Sequence, residues 1–127
     1  MTIRIAPSLL SADFADLARE ITEVQDAGAD LLHLDIMDGH FVPNLTFGPP
    51  LVRRLGAHCR IPMDAHLMVT RPDDLVPDLA AAGVARVAVH VECCSHLHRS
   101  LTAIRDRGMS AGIAINPATA AHALEDA

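Results

Sequence analysis

Pro7-Ser8-Leu9-Leu10-Ser11 is the turn that decides the fold, because it ends the first strand-like run, Ile3 to Pro7, and leads into the first helical stretch. Chains that alternate strand and helix build either an open doubly wound sheet or a (β/α) barrel. In the open sheet the first such turn usually carries a glycine-rich phosphate cradle. This turn holds no glycine, so the barrel is expected.

The alternation continues outward from that turn. Short apolar runs predict further strands over Leu31 to Met37, Ile61 to Val69, Arg86 to Val91 and Ser110 to Ile115. Apolar residues at helical spacing predict helices over Ala15 to Ala27, Pro50 to Leu55, Pro72 to Ala82, His96 to Arg107 and Thr119 to Asp126. Gly28, Gly83 and Gly108 stand where a left-handed residue would close the first, third and fourth of these. A complete barrel needs about 200 residues or more and eight βα units. The 127 residues hold five units, with no linker or low-complexity segment. The expectation is therefore an α/β chain of TIM-type (β/α) barrel class, incomplete, with residues 1–127 forming one partial domain.

Composition narrows the function. Half the residues are hydrophobic and 20% charged, enough apolar material for one core. A formal charge of -6 argues against nucleic acid or anionic lipid as a partner and favours a small molecule. Cys59, Cys93 and Cys94 make an odd set without CxxC spacing, which supports neither a disulfide framework nor a cysteine zinc site and suits a reducing compartment. Pro7, Asp13 and Asp16 interrupt any signal-peptide core, and Asp78 and Arg86 break the longest apolar stretches. A soluble, cytoplasmic chain with no membrane partner is expected. The unclosed edges of a partial sheet predict self-association.

The chemical residues fall on two of the predicted strands. Side chains two apart share a strand face, so His33, Asp35 and Met37 point one way while Leu32, Leu34 and Ile36 point the other. The aliphatic face belongs against helices, which leaves imidazole and carboxylate aimed into the barrel near its C-terminal rim, where barrel active sites lie. An inward carboxylate needs a compensating cation, proton or metal. The next strand repeats the pattern with Asp64, His66 and Met68. Two imidazoles and a carboxylate make a nitrogen and oxygen ligand set for one divalent cation such as zinc, iron, manganese or cobalt. The alternative is that these groups only hydrogen-bond to neighbours and fill space. Asp64 is either a group that orients a ligand or a buried structural carboxylate. Met37 and Met68 either wall a pocket or fill the core. His90 shares a face with Ala88 and Glu92 and is a weaker candidate, His96 and His98 open a helix toward solvent beside the N-cap candidate Ser95, and Cys93 and Cys94 receive no role. The long connection from Asp38 to Pro50 carries Phe41 and Phe47, two of the three phenylalanines, and is expected to cover the pocket as a lid.

Four stretches together, Ala6 to Phe14, His33 to Asn44, His66-Leu67-Met68-Val69 and Ala114 to Thr119, resemble the ribulose-phosphate 3-epimerase family, and the string from His33 to Asn44 is the most specific. The resemblance implies a phosphate-binding barrel that interconverts D-ribulose 5-phosphate and D-xylulose 5-phosphate in the pentose phosphate pathway. It further implies that His33, Asp35 and His66 hold a divalent metal together with a second aspartate from a later strand, and that Ser8 and His66 contact the phosphosugar. In such chemistry a metal stabilises the enediolate left when the C3 proton departs, and two carboxylates on opposite faces exchange that proton. Asp35 is the first; the second, with the glycine-rich phosphate loops, belongs to units this sequence does not contain, so little or no turnover is expected from these residues alone. A non-catalytic metal-binding or assembly fragment of the same fold is the competing reading. A decarboxylase-like phosphosugar barrel is disfavoured, since the chain has no lysine.

Overall fold

The computed structural model describes residues 2–125. Its centre is a parallel sheet of β1 (Leu32–Met37), β2 (Met63–Met68), β3 (Arg86–His90) and β4 (Ser110–Ala114), arranged in chain order. Among the described residues four α-helices alternate with the strands: α1 (Leu17–Asp26), α2 (Pro49–Gly56), α3 (Val76–Ala81) and α4 (Leu97–Arg105). Consecutive parallel neighbours each reached through a helix are the repeating unit of a (β/α) barrel, here a partial one.

Period-two alternation sorts each strand's residues. Leu32, Leu34 and Ile36 of β1, Ala65 and Leu67 of β2, and Val87 and Val89 of β3 are buried in one cluster with Ile21, Val52, Leu55, Val76, Leu79, Leu101 and Ile104 from the helices. The helical layer thus covers one sheet face, and the opposite faces of β1 and β2 are half-buried throughout. Gln25 ties α1 to the approach to β2, donating to the His58 carbonyl at 3.1 Å and accepting from the Arg60 amide. Gly28, Gly83 and Gly108 take positive φ just beyond α1, α3 and α4, as their positions predict.

Three predicted elements differ. Residues 3–7 do not form a strand. The segment still runs beside β1, where the Ile5 carbonyl accepts from the Asp30 and Leu31 amides and the Pro7 carbonyl from the His33 amide. Pro7 has no amide hydrogen to give back, and only the Ser8 to His33 bridge closes. The predicted helix over Pro72 to Ala82 is split into a 3-10 turn, Pro72–Asp74, and α3, because Pro77 can be accommodated only in a first helical turn. Of the expected helix from Thr119 to Asp126, the described part is a 3-10 turn, Ala121–Leu124, and Asp126 lies outside the described residues.

Candidate metal centre

The uncovered face of β1 and β2 is where the polar residues meet. The parallel register sets His33 opposite Asp64, Asp35 opposite His66 and Met37 opposite Met68. Asp35 Oδ1 lies 3.3 Å from His33 Nε2 and 3.6 Å from His66 Nδ1, and its side chain is only 15% exposed. One ligand atom each from His33, Asp35 and His66 falls within 4.8 Å of the others, the only such group among the described residues. The predicted trio therefore converges.

The donor set fits a divalent cation. Asp64 Oδ2 lies 3.0 Å from His33 Nδ1. A carboxylate only accepts, so Nδ1 carries a hydrogen, and in the neutral ring the Nε2 lone pair is the one directed to the side of Asp35. Asp64 also has Arg86 Nε 3.8 Å away. His66 has its pKa lowered, first by burial and then by the neighbouring imidazole of His90, against the opposing pull of Asp35. A neutral imidazole is the form that ligates. Two imidazole nitrogens and one carboxylate oxygen suit the borderline cations of the first transition row.

Ser8 joins this cluster through Asp35. Its hydroxyl donates to Asp35 Oδ2 and accepts from the Leu10 amide at 3.2 Å, which holds one oxygen of the carboxylate. Met37 and Met68 sit half-buried one step further along the same face. The connection after β1 is fastened rather than loose. Asp38 Oδ1 accepts from the His40 and Phe41 amides at 2.8 and 2.9 Å, and Oδ2 accepts from the amide and hydroxyl of Thr70 at 2.8 and 2.9 Å. Thr46 Oγ1 donates to the Asp35 carbonyl at 2.7 Å. Of its two phenylalanines, Phe41 lies over His90 with ring centroids 4.9 Å apart, while Phe47 packs on the core and edge-on to Phe14. Of the two, only Phe41 packs on a histidine, His90.

His90, the weaker candidate in sequence, is 5% exposed and fully engaged. Its Nε2 is 2.8 Å from His66 Nε2, the rings stack at 5.0 Å, and its Nδ1 is 3.1 Å from Glu92 Oε2. Glu92 Oε1 accepts from the Asn116 amide at 2.7 Å and from the Thr119 hydroxyl. Desolvation raises the Glu92 pKa, but the bonds from Thr119, Asn116 and His90 outweigh it and hold the carboxyl down at about 2. Glu92 stands on the 3-10 turn just past β3, outside the strand pattern that marks the other polar residues. His96 and His98 face solvent as expected, though the N-cap of α4 is His96 rather than Ser95.

The profile of the Ribulose-phosphate 3 epimerase family matches residues 4–127. A ribulose-phosphate 3-epimerase of Rhodobacter capsulatus is 53% identical over 124 residues, covering 98% of this chain and 54% of that protein. Those of Bacillus subtilis (strain 168) and Treponema pallidum (strain Nichols) are 47% identical over 123 residues and 49% over 122, covering 97% and 96% of this chain and 57% and 56% of theirs. The chain spans about half the length of the curated relatives it matches.

Proposed function

The chain belongs to the ribulose-phosphate 3-epimerase family, and from that premise we propose that it carries the metal-holding and first proton-transferring part of a centre that interconverts D-ribulose 5-phosphate and D-xylulose 5-phosphate at C3. The supporting observation is the convergence of His33, Asp35 and His66 on one spot of the uncovered sheet face. His33 Nε2, Asp35 Oδ1 and His66 Nδ1 would hold one divalent cation of zinc, iron, manganese or cobalt type. Such a cation, when bound, supplies positive charge that offsets the negative charge developing on the substrate oxygens.

The protein's own groups do the rest. Asp35 takes or returns the C3 proton. Ser8 donates to Asp35 Oδ2 and so fixes the plane of that carboxylate, and it contacts the phosphosugar from the same turn. His66 contacts substrate from the neighbouring strand, and Met37 and Met68 offer thioether walls that do not compete for the proton. Phe41 packs on the ring of His90. No described helix is long and apolar enough to cross a membrane, and the free cysteines Cys59, Cys93 and Cys94 suit the reducing cytoplasm. The open edges of the sheet lead to association between copies, with neither nucleic acid nor membrane as partner.

Solvent deuterium exchange tests the assignment. The chain, loaded in turn with manganese, zinc, cobalt or ferrous iron in D2O, is expected to exchange the C3 hydrogen of one of the two epimers, and Asp35→Asn to abolish the exchange. Metal binding without any exchange would favour the non-catalytic fragment and overturn the proposal.

A further inference from the structure

We propose that His90 and Glu92 are positioning residues, forming with His66 a hydrogen-bond chain of fixed proton order that turns His66 Nδ1 toward the cation site and ties it to the segment after β4. The inference rests on the metal-centre reading above and adds two residues outside the converging trio.

The proton order follows from the partners. Glu92 Oε2 is a carboxylate oxygen 3.1 Å from His90 Nδ1, so His90 Nδ1 is the donor there. A neutral His90 then has a lone pair on Nε2. That atom lies 2.8 Å from His66 Nε2, and one hydrogen must sit between them, so it belongs to His66 Nε2. His66 Nδ1 is left without hydrogen on the side where Asp35 Oδ1 lies 3.6 Å away. Every bond in the chain holds one hydrogen, and the lone pair emerges at the atom that faces the other two ligands. His33 reaches the same end by a separate route, through Asp64.

The far end is anchored as well. Glu92 follows β3 on a 3-10 turn, and its second oxygen accepts from the Asn116 amide and the Thr119 hydroxyl. The segment leaving β4 is thereby connected to a candidate ligand on β2 through Glu92 and His90. Burial protects the middle link of the chain from water: His90 is 5% exposed, between the His66 ring and Phe41.

The test uses the 127-residue chain, Co(II) as the probe, and three variants: His90→Leu, His90→Gln and Glu92→Ala. Absorption titration is expected to show Co(II) binding weakened about 10- to 100-fold by His90→Leu and less by Glu92→Ala. His90→Gln is expected to recover most of the affinity, because an amide oxygen can still accept from His66 Nε2. Side-chain nitrogen NMR of the metal-free protein should find His66 with hydrogen on Nε2 in the parent chain and in His90→Gln, and a mixture of tautomers in His90→Leu. A His90→Leu chain that melts normally, binds Co(II) within twofold of the parent and keeps the His66 tautomer would overturn the positioning role and leave the metal centre standing. Failure of the parent chain itself to bind Co(II) would overturn the metal reading and this inference with it. If His90→Leu does not fold, Glu92→Ala binding as tightly as the parent, with the tautomer unmoved, is the overturning result.

Discussion

At the scale of single residues, the centre depends on imidazoles whose hydrogens are assigned by neighbours. Asp64 performs that service for His33, at 3.0 Å from Nδ1. Removing it leaves a ring free to adopt either tautomer and orientation, and outer-sphere losses of this kind reduce metal affinity about 10- to 100-fold. Calorimetric titration of Asp64→Ala with zinc should show that loss, whereas Asp74→Ala, which breaks only an exposed pair with Arg71, should bind as the parent does. Equal affinity in the two would remove Asp64 from the centre. His33, Asp35 and His66 were legible because each stands in a clean alternation with aliphatics, so strand period alone put them on one face. His90 was harder to read, since its neighbour on that face is Ala88, and Glu92 lies beyond the strand, where the period no longer applies. Its partners arrive from a segment 24 and 27 residues away, which no local pattern announces.

Among elements, β2 is central and its outward residues bear the packing. Leu67 is fully buried between sheet and helices, so Leu67→Ala should destabilise the chain by about 2–5 kcal/mol in urea unfolding, while leaving the polar face chemically intact. The connection after β1 offers a pH test. Partial desolvation raises the Asp38 pKa, but bonds from the Thr70, His40 and Phe41 amides and the Thr70 hydroxyl prevail and hold it well below its ordinary 3.8. A depressed folded-state value means the stabilisation is complete above the unfolded pKa and is lost as pH falls below it. Thermal melts should therefore decline below about pH 4, and Asp38→Asn should flatten that decline, having already lost the acceptor facing Thr70. An unchanged acid slope would show that Asp38 does not anchor the connection. Strand and helix order was readable from apolar spacing, and two of the departures trace to proline: Pro7 withholds the amide a first strand needs, and Pro77 restarts a helix that spacing alone runs through.

For the molecule as a whole, the sheet ends in two unlike edges, and both bear on association. On one side the segment from Ile3 to Pro7 lies along β1 with Ile3 89% and Ile5 62% exposed, and Leu10 and Phe14 also reach solvent nearby. On the other side β4 pairs only with β3 among the described residues, and its last four residues are half-buried where those of β1 and β2 alternate with fully buried ones. Exposed isoleucines beside an unfilled ladder, facing a second unfilled ladder on the next copy, favour head-to-tail continuation of the parallel sheet, which does not close on itself. Net charge of -6 opposes this and weakens as salt screens it. Sedimentation velocity should accordingly show mass rising with protein concentration, and more steeply at high salt than at low. Lysines at both isoleucines, Ile3→Lys with Ile5→Lys, place charge on the edge without touching the core, and should shift the distribution toward the monomer with the melting curve unchanged. A parent chain that sediments as a monomer at every concentration and salt would mean that the edges are already satisfied within one copy.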